Sequence, residues 1–190
     1  MRAHLPIVFS AFLTVVCGTL SSAAEAPPLP LLDAVEMWLE MPAQRRLAAT
    51  KAQPEARLAP FVTDGCSGGL SAGWDFAARH VPSLAAAYGE HPPWEHCCVE
   101  HDRAYHAAPG ADAEAGFAAR RDADAVLRAC VLADGAARKT ALMADHGLSA
   151  GMVDVLYAGI AGAMYRAVRL GGVPCSALPW RWGYGWPYCN

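Results

Sequence analysis

Apolar residues recur along this chain at three- and four-residue intervals rather than at alternate positions, and Val/Ile/Thr runs of the strand type are absent. That period belongs to amphipathic helices, so the pattern predicts an all-α domain. Asp33 is placed to cap a first helix over 33–41, in which Leu32, Val35, Trp38 and Leu39 share one face. Pro42 ends that helix or starts a new segment. Residues 61–73 carry four glycines and read as a loop; a short helix over 74–88 is interrupted by Pro82. Pro93 suits the first position of a helix running to about Ala107. After the Pro109-Gly110 break, Asp112 caps a helix through about Leu132, and Gly135 breaks the pattern before a segment over 137–145. A last long helix spans 149–170 and stops at Gly171-Gly172.

In 190 residues, an apolar content of 54% is ample for one core, and residues 25–190 read as a single domain. Ahead of it, Arg2 opens an apolar stretch from Ile7 to Leu20, followed by the small residues Ser22-Ala23-Ala24. The stretch is short for a membrane anchor, so 1–24 reads as a signal peptide and the mature chain as secreted or periplasmic. Val16 is bulkier than the residue expected before a lipid-modified cysteine at Cys17. Of seven cysteines, cleavage removes Cys17 and leaves six, at 66, 97, 98, 130, 175 and 189, an even set suited to three bridges. Asp154 and Arg166 leave only eleven uncharged residues between them, so the last helix is a packed helix rather than a membrane span. A net charge of −3 argues against a nucleic-acid partner, which needs a basic face.

Chemistry concentrates in Cys97-Cys98-Val99-Glu100-His101-Asp102-Arg103-Ala104-Tyr105. At about 100° per residue, Cys97, His101 and Tyr105 share one helical stripe, and Asp102 points about a quarter-turn away. One helix therefore offers an imidazole to one neighbour and a carboxylate to another. If Cys97 is bonded to Cys130 across an antiparallel helix pair, His101 falls opposite Val126 and Tyr105 opposite Asp122. Asp122 and Asp124 both lie within a turn of that stripe, and either can accept the imidazole N–H. His96, Cys97, Cys98, His101, Asp102 and His106 are also dense in zinc ligands, but the second knuckle of a structural zinc site is missing. His96 and His106 match no motif and read as solvated.

With Asp64-Gly65-Cys66-Ser67-Gly68-Gly69 upstream, the stretch resembles the Cys-Cys-x-x-His-Asp signature of secreted phospholipase A2. The resemblance implies a disulfide-linked antiparallel helix hairpin and a calcium-dependent hydrolase for the sn-2 ester of glycerophospholipids. It implies His101 as general base and Asp124, six residues before Cys130, as the acid that orients it. Tyr105 matches the family tyrosine that bonds that acid. It further implies bridges Cys66–Cys98 and Cys97–Cys130, which leaves Cys175 and Cys189 for each other. Calcium would be held by the carbonyls of Gly65, Ser67 and Gly69 and the carboxylate of Asp102, with Asp64 as an additional ligand. The chain departs from the vertebrate pattern. Its glycine loop is shorter, Ala104 and Ala123 stand where a family cysteine pair is usual, and no β-hairpin fits between the two main helices. It is closer to compact, microbial-type members.

Trp180, Trp182, Tyr184, Trp186 and Tyr188 crowd into nine residues of the tail. Such rings favour a membrane interface, and they also serve as core plugs or sugar platforms. By resemblance, the amino-terminal helix bearing Trp38 lines an acyl channel and docks at the lipid surface. The expectation is thus an exported hydrolase with a phospholipid substrate, membrane contact through Trp38, Trp180, Trp182 and Trp186, and no obligate protein partner. The rival expectations are an exported lipid- or calcium-binding protein of the same fold that has lost catalysis, and a purely structural helical protein.

Overall fold

In the computed structural model, residues 30–66, 79–80 and 91–189 are described. They form helices α1 (Pro30–Lys51), α2 (Glu95–Ala107), α3 (Ala113–His146) and α4 (Ala150–Gly171), and no strand occurs among the described residues. The expected all-α architecture holds. The expected 1–24 signal peptide, most of the expected 74–88 helix and residues 67–73 of the expected glycine loop lie outside the described residues.

Local chemistry sets most helix ends. The Asp112 carboxylate accepts from Ala115 N at 2.8 Å and the Ser149 hydroxyl from Met152 N at 3.2 Å, each satisfying a donor of the first turn. Gly147 closes α3 in the left-handed conformation, φ 64°, which glycine adopts without a Cβ penalty. α2 begins at Glu95, two residues later than Pro93 suggests, with Trp94 at its cap position.

Two expected breaks are absent. α1 continues through Pro42 to Lys51. The proline removes one N–H from the ladder, opposite Trp38, on the solvent side of the helix where Trp38 is 74% exposed. α3 likewise continues through Gly135 for 34 residues. Gly135 is a packing position: a Cβ there would sit 2.3 Å from Cγ of Tyr157 on α4. The absent side chain lets these two helices approach closely.

The shared apolar face of α1 turns outward. Val35, Trp38 and Leu39 point to solvent, Leu39 with 65% of its surface exposed. The inward stripe is Glu36, Glu40, Gln44 and Leu47, at four- and three-residue spacing, and it begins with two carboxylates. Polar partners inside the fold, described below, turn the helix this way against its apolar pattern.

α3 and α4 pack on each other most extensively. Leu127, Val131 and Leu142 interleave with Val153, Tyr157, Ala161 and Met164, and Cys66, Cys97 and Cys98 complete that core. All three expected bridges form, with Cα–Cα separations of 5.1 Å for Cys66–Cys98, 5.7 Å for Cys97–Cys130 and 5.3 Å for Cys175–Cys189. They fix α2 to α3, the 64–66 turn to α2, and the tail to itself.

The aromatic tail is a core plug in part. Trp182 is 1% exposed and meets Tyr105 edge-on, ring centroids 5.1 Å apart. Its backbone N–H donates to Gly172 O, and Gly183 N donates to Tyr105 O. Trp182 is therefore unavailable to a membrane surface. The same fold-over buries His106 between Phe61 and Tyr184, where a solvated ring was expected. No helix among the described residues is long and apolar enough to cross a membrane.

Gly135→Ala should destabilise the protein by about 1–3 kcal/mol, because overpacking against Tyr157 outweighs the helix-propensity gain of up to about 1 kcal/mol. A lower urea midpoint at unchanged m-value is the expected result.

Candidate active site

α2 places Cys97, His101 and Tyr105 on its buried face, and Asp102 beside it. The disulfides to Cys66 and Cys130 hold this helix at its start, so the histidine one turn later has a fixed position. The facing stripe of α3 is Arg120, Asp124, Leu127 and Val131, spaced four, three and four. Asp124 is fully buried, whereas Asp122 and Val126 are exposed. Antiparallel counting from Cys130 finds the right level along α3 but the wrong side of it. Residues 122 and 126 are each two positions, about 200°, around the helix from 124.

His101 Nε2 lies 2.8 Å from Asp124 Oδ1, and the Tyr105 hydroxyl donates to the same oxygen at 2.7 Å. Asp124 Oδ2 faces two guanidiniums, Arg169 Nη1 at 2.9 Å and Arg120 Nη1 at 3.4 Å. Burial alone would raise the Asp124 pKa. The His101 hydrogen bond, the Arg120 charge and the bonds from Arg169 and Tyr105 reverse this and hold the carboxyl below the usual range.

Each arginine is backed by α1. Arg120 Nε donates to Glu40 Oε1 at 2.7 Å, and Arg120 Nη2 pairs with Glu40 Oε2. Arg169 Nε donates to Glu36 Oε1 at 2.7 Å, and Gln44 Nε2 donates to Glu40 Oε1 at 2.8 Å. Arg120 Nη1 also reaches Val168 O at 3.1 Å. For both arginines, burial would lower the pKa, and for Arg169 the Arg120 charge adds to this; Glu40 and Asp124 at Arg120, and Asp124 and Glu36 at Arg169, overcome it and leave the guanidiniums charged. A buried network thus runs from His101 through Asp124 to three helices.

On the other side, His101, Asp102 and Gly65 line a cavity of about 50 Å³ whose apolar wall is Leu127, Met164, Ala167, Val168 and Trp180. Asp102 is also the wall of a second cavity of about 230 Å³, shared with Thr63, Asp64, Trp180 and Tyr184. The Thr63 hydroxyl donates to Asp102 Oδ2 at 2.6 Å and accepts from Gly65 N at 3.0 Å, which ties the turn to the acid. Gly65 has φ 72°, and a Cβ there would meet Glu95 Oε1 at 2.4 Å. Burial pushes the Asp102 carboxyl up to about 6; Thr63 and His101 oppose the shift and the Asp64 charge adds to it.

Of the expected cation ligands, Gly65, Asp64 and Asp102 come together around these two cavities, and Ser67 and Gly69 lie outside the described residues. Two carboxylates beside a positive-φ glycine turn form a hard-oxygen donor set, which suits calcium. The zinc-like cluster resolves differently. His96, Cys97 and Cys130 offer ligand atoms within 4.8 Å of one another, but the two sulfurs are bonded together.

The sequence reading missed Arg120, Arg169, Glu36, Glu40 and Thr63. A signal existed for Arg120, a charge four residues before Asp124 on an otherwise apolar stripe of α3. Arg169 in the last turn of α4 reads as an ordinary complement to the helix dipole. Comparison with family models, with curated proteins and with solved structures finds no match for this chain.

In metal-free protein, carboxyl-carbon NMR should find Asp102 titrating near 6. Asp64→Asn should lower that midpoint and Thr63→Val should raise it. A carboxyl raised in the folded state binds its proton more tightly there than in the unfolded chain. Its contribution to stability therefore declines as pH rises from 3.8 to about 6.

Proposed function

We propose that this protein is an exported, calcium-dependent phospholipase A2-type hydrolase that cleaves the sn-2 ester of glycerophospholipids. The observation that carries the reading is the 2.8 Å contact of His101 Nε2 with Asp124, on a histidine that also lines the cavity shared with Asp102 and Gly65. With Nε2–H committed to the carboxylate, Nδ1 carries the lone pair. It accepts a proton from a water that attacks the ester carbonyl, and no serine nucleophile is needed. Asp124 stabilises the imidazolium that results, and Tyr105 steadies Asp124. The proton then passes from Nδ1 to the leaving glycerol oxygen.

Asp102, Asp64 and the Gly65 carbonyl would hold calcium, with Ser67 and Gly69 contributing by resemblance. Calcium bound there supplies charge for the developing oxyanion and for the substrate phosphate. Leu127, Met164, Ala167 and Val168 offer an apolar surface to the acyl chain beside His101. The sn-2 regiochemistry comes from the family resemblance alone.

Exposed Trp38 and Leu39 on the outer face of α1, and separately Trp180 at the cavity wall, are side chains suited to contact with lipid. Trp186 is half-buried and donates to Ala107 O, so its share of such contact is smaller. Three disulfides fit an oxidising destination, secreted or periplasmic.

Fatty-acid release from mixed phospholipid micelles tests the reading. The wild type should release fatty acid only when calcium is present. His101→Gln should lose activity by about 10²–10⁴-fold with fold and bridges intact. Wild-type turnover by the folded variant would overturn the assignment, and calcium or lipid binding without any turnover would favour a binding protein.

A further inference from the structure

We infer that Arg169, together with Arg120, is a positioning residue for His101. The two guanidiniums occupy one oxygen of Asp124 so that its other oxygen fixes the imidazole with the proton on Nε2 and the lone pair on Nδ1. The consequence for turnover rests on the hydrolase reading; the consequence for the imidazole does not.

A carboxylate offers about four acceptor sites on two oxygens, and only its ionised form is acceptor-only. In Asp124 all of that capacity meets donors. Oδ1 takes His101 and Tyr105 at 2.8 and 2.7 Å; Oδ2 takes Arg169 and Arg120 at 2.9 and 3.4 Å. An acceptor-only partner requires Nε2 to be the protonated nitrogen. A protonated Asp124 would present a hydroxyl to Nε2 instead, move the ring proton to Nδ1 and remove the lone pair from that nitrogen.

What keeps the buried carboxyl an anion is permanent positive charge. Tyr105 is neutral, its own ionisation pushed well above the usual range by burial. The two arginines are the cations in contact with Asp124, and both are themselves buried. They cannot swing away, because Glu40 holds Arg120 and Glu36 holds Arg169 from α1. A purely structural role for these arginines would tie α1 to α3 and α4 and leave the imidazole indifferent to them.

Nitrogen NMR of the full mature chain with labelled histidine separates the two roles. Recorded in alkaline solution, where imidazoles are neutral, metal-free wild type should show the His101 proton on Nε2. Arg169→Gln should give a mixture of tautomers, with kcat reduced about 10–100-fold and KM within about twofold. Arg169→Lys, which restores a cation beside Asp124, should recover most of the wild-type population. Should Arg169→Gln fail to fold, Arg169→Gln combined with Glu36→Gln removes the ion pair as a unit and leaves no orphaned acid; the same mixture is expected. An Nδ1–H tautomer in the wild type, or an unchanged tautomer in either folded variant, overturns the inference. If the tautomers shift as expected but no variant or wild type hydrolyses phospholipid, the hydrolase reading fails and the positioning role stands.

Discussion

Asp124 is one fully buried carboxylate surrounded by four donors, and the architecture around it follows from satisfying that charge. An ion buried without partners costs several kcal/mol, and three helices deliver the donors that offset that cost. α2 brings His101 and Tyr105, α3 brings Arg120, and α4 brings Arg169. Two arginines in turn require counter-charge, and α1 supplies it with Glu40 and Glu36. The inward face of α1 carries Glu40 and Gln44 for this reason, while Val35, Trp38 and Leu39 are left outside. Breaking such a network by removing one member typically costs about 3–5 kcal/mol, because the remaining charge stays buried.

This arrangement gives the two sides of His101 opposite characters. Behind the ring lies a dry, saturated set of ion pairs that fixes position and proton placement. In front lies a cavity with Asp102 on one wall and aliphatic side chains on another. Asp102 is held differently from Asp124. It has a hydroxyl and a backbone turn beside it and no ion pair among the described residues, and its carboxyl is pushed up to about 6. Under the proposed function that difference is useful. A carboxylate already neutralised by arginine orients a base, and one short of positive charge attracts a metal ion. The bridges Cys66–Cys98 and Cys97–Cys130 keep the two environments in register, since adjacent cysteines on α2 tie the turn to one side and α3 to the other.

Much of this was legible in the chain. Helix type followed from apolar spacing, the Asp112 cap from residue chemistry, and the three bridges from cysteine parity together with the resemblance. Counting residues left Asp122 and Asp124 both open; the structure turns Asp124 inward because it shares a stripe with Leu127 and Val131. Breakers misled where packing overrode propensity. Gly135 reads as an interruption because nothing in the one-dimensional pattern announces Tyr157. Pro42 reads as a stop because tolerance depends on which carbonyl it frees. The face of α1 was hidden most deeply. Hydrophobic periodicity groups Val35, Trp38 and Leu39 on one face without fixing which way it points, and only the distant Arg120 and Arg169 turn Glu36 and Glu40 inward.

The most direct test of the central claim compares two neighbouring acids on α3. Asp124→Asn should lower kcat for phospholipid hydrolysis on the order of 10³–10⁴-fold, because the amide no longer enforces the acceptor-only partner that His101 needs. Asp122→Asn, at an exposed position, should leave kcat unchanged. Full turnover by a folded Asp124→Asn protein, or equal losses in the two variants, would contradict the account.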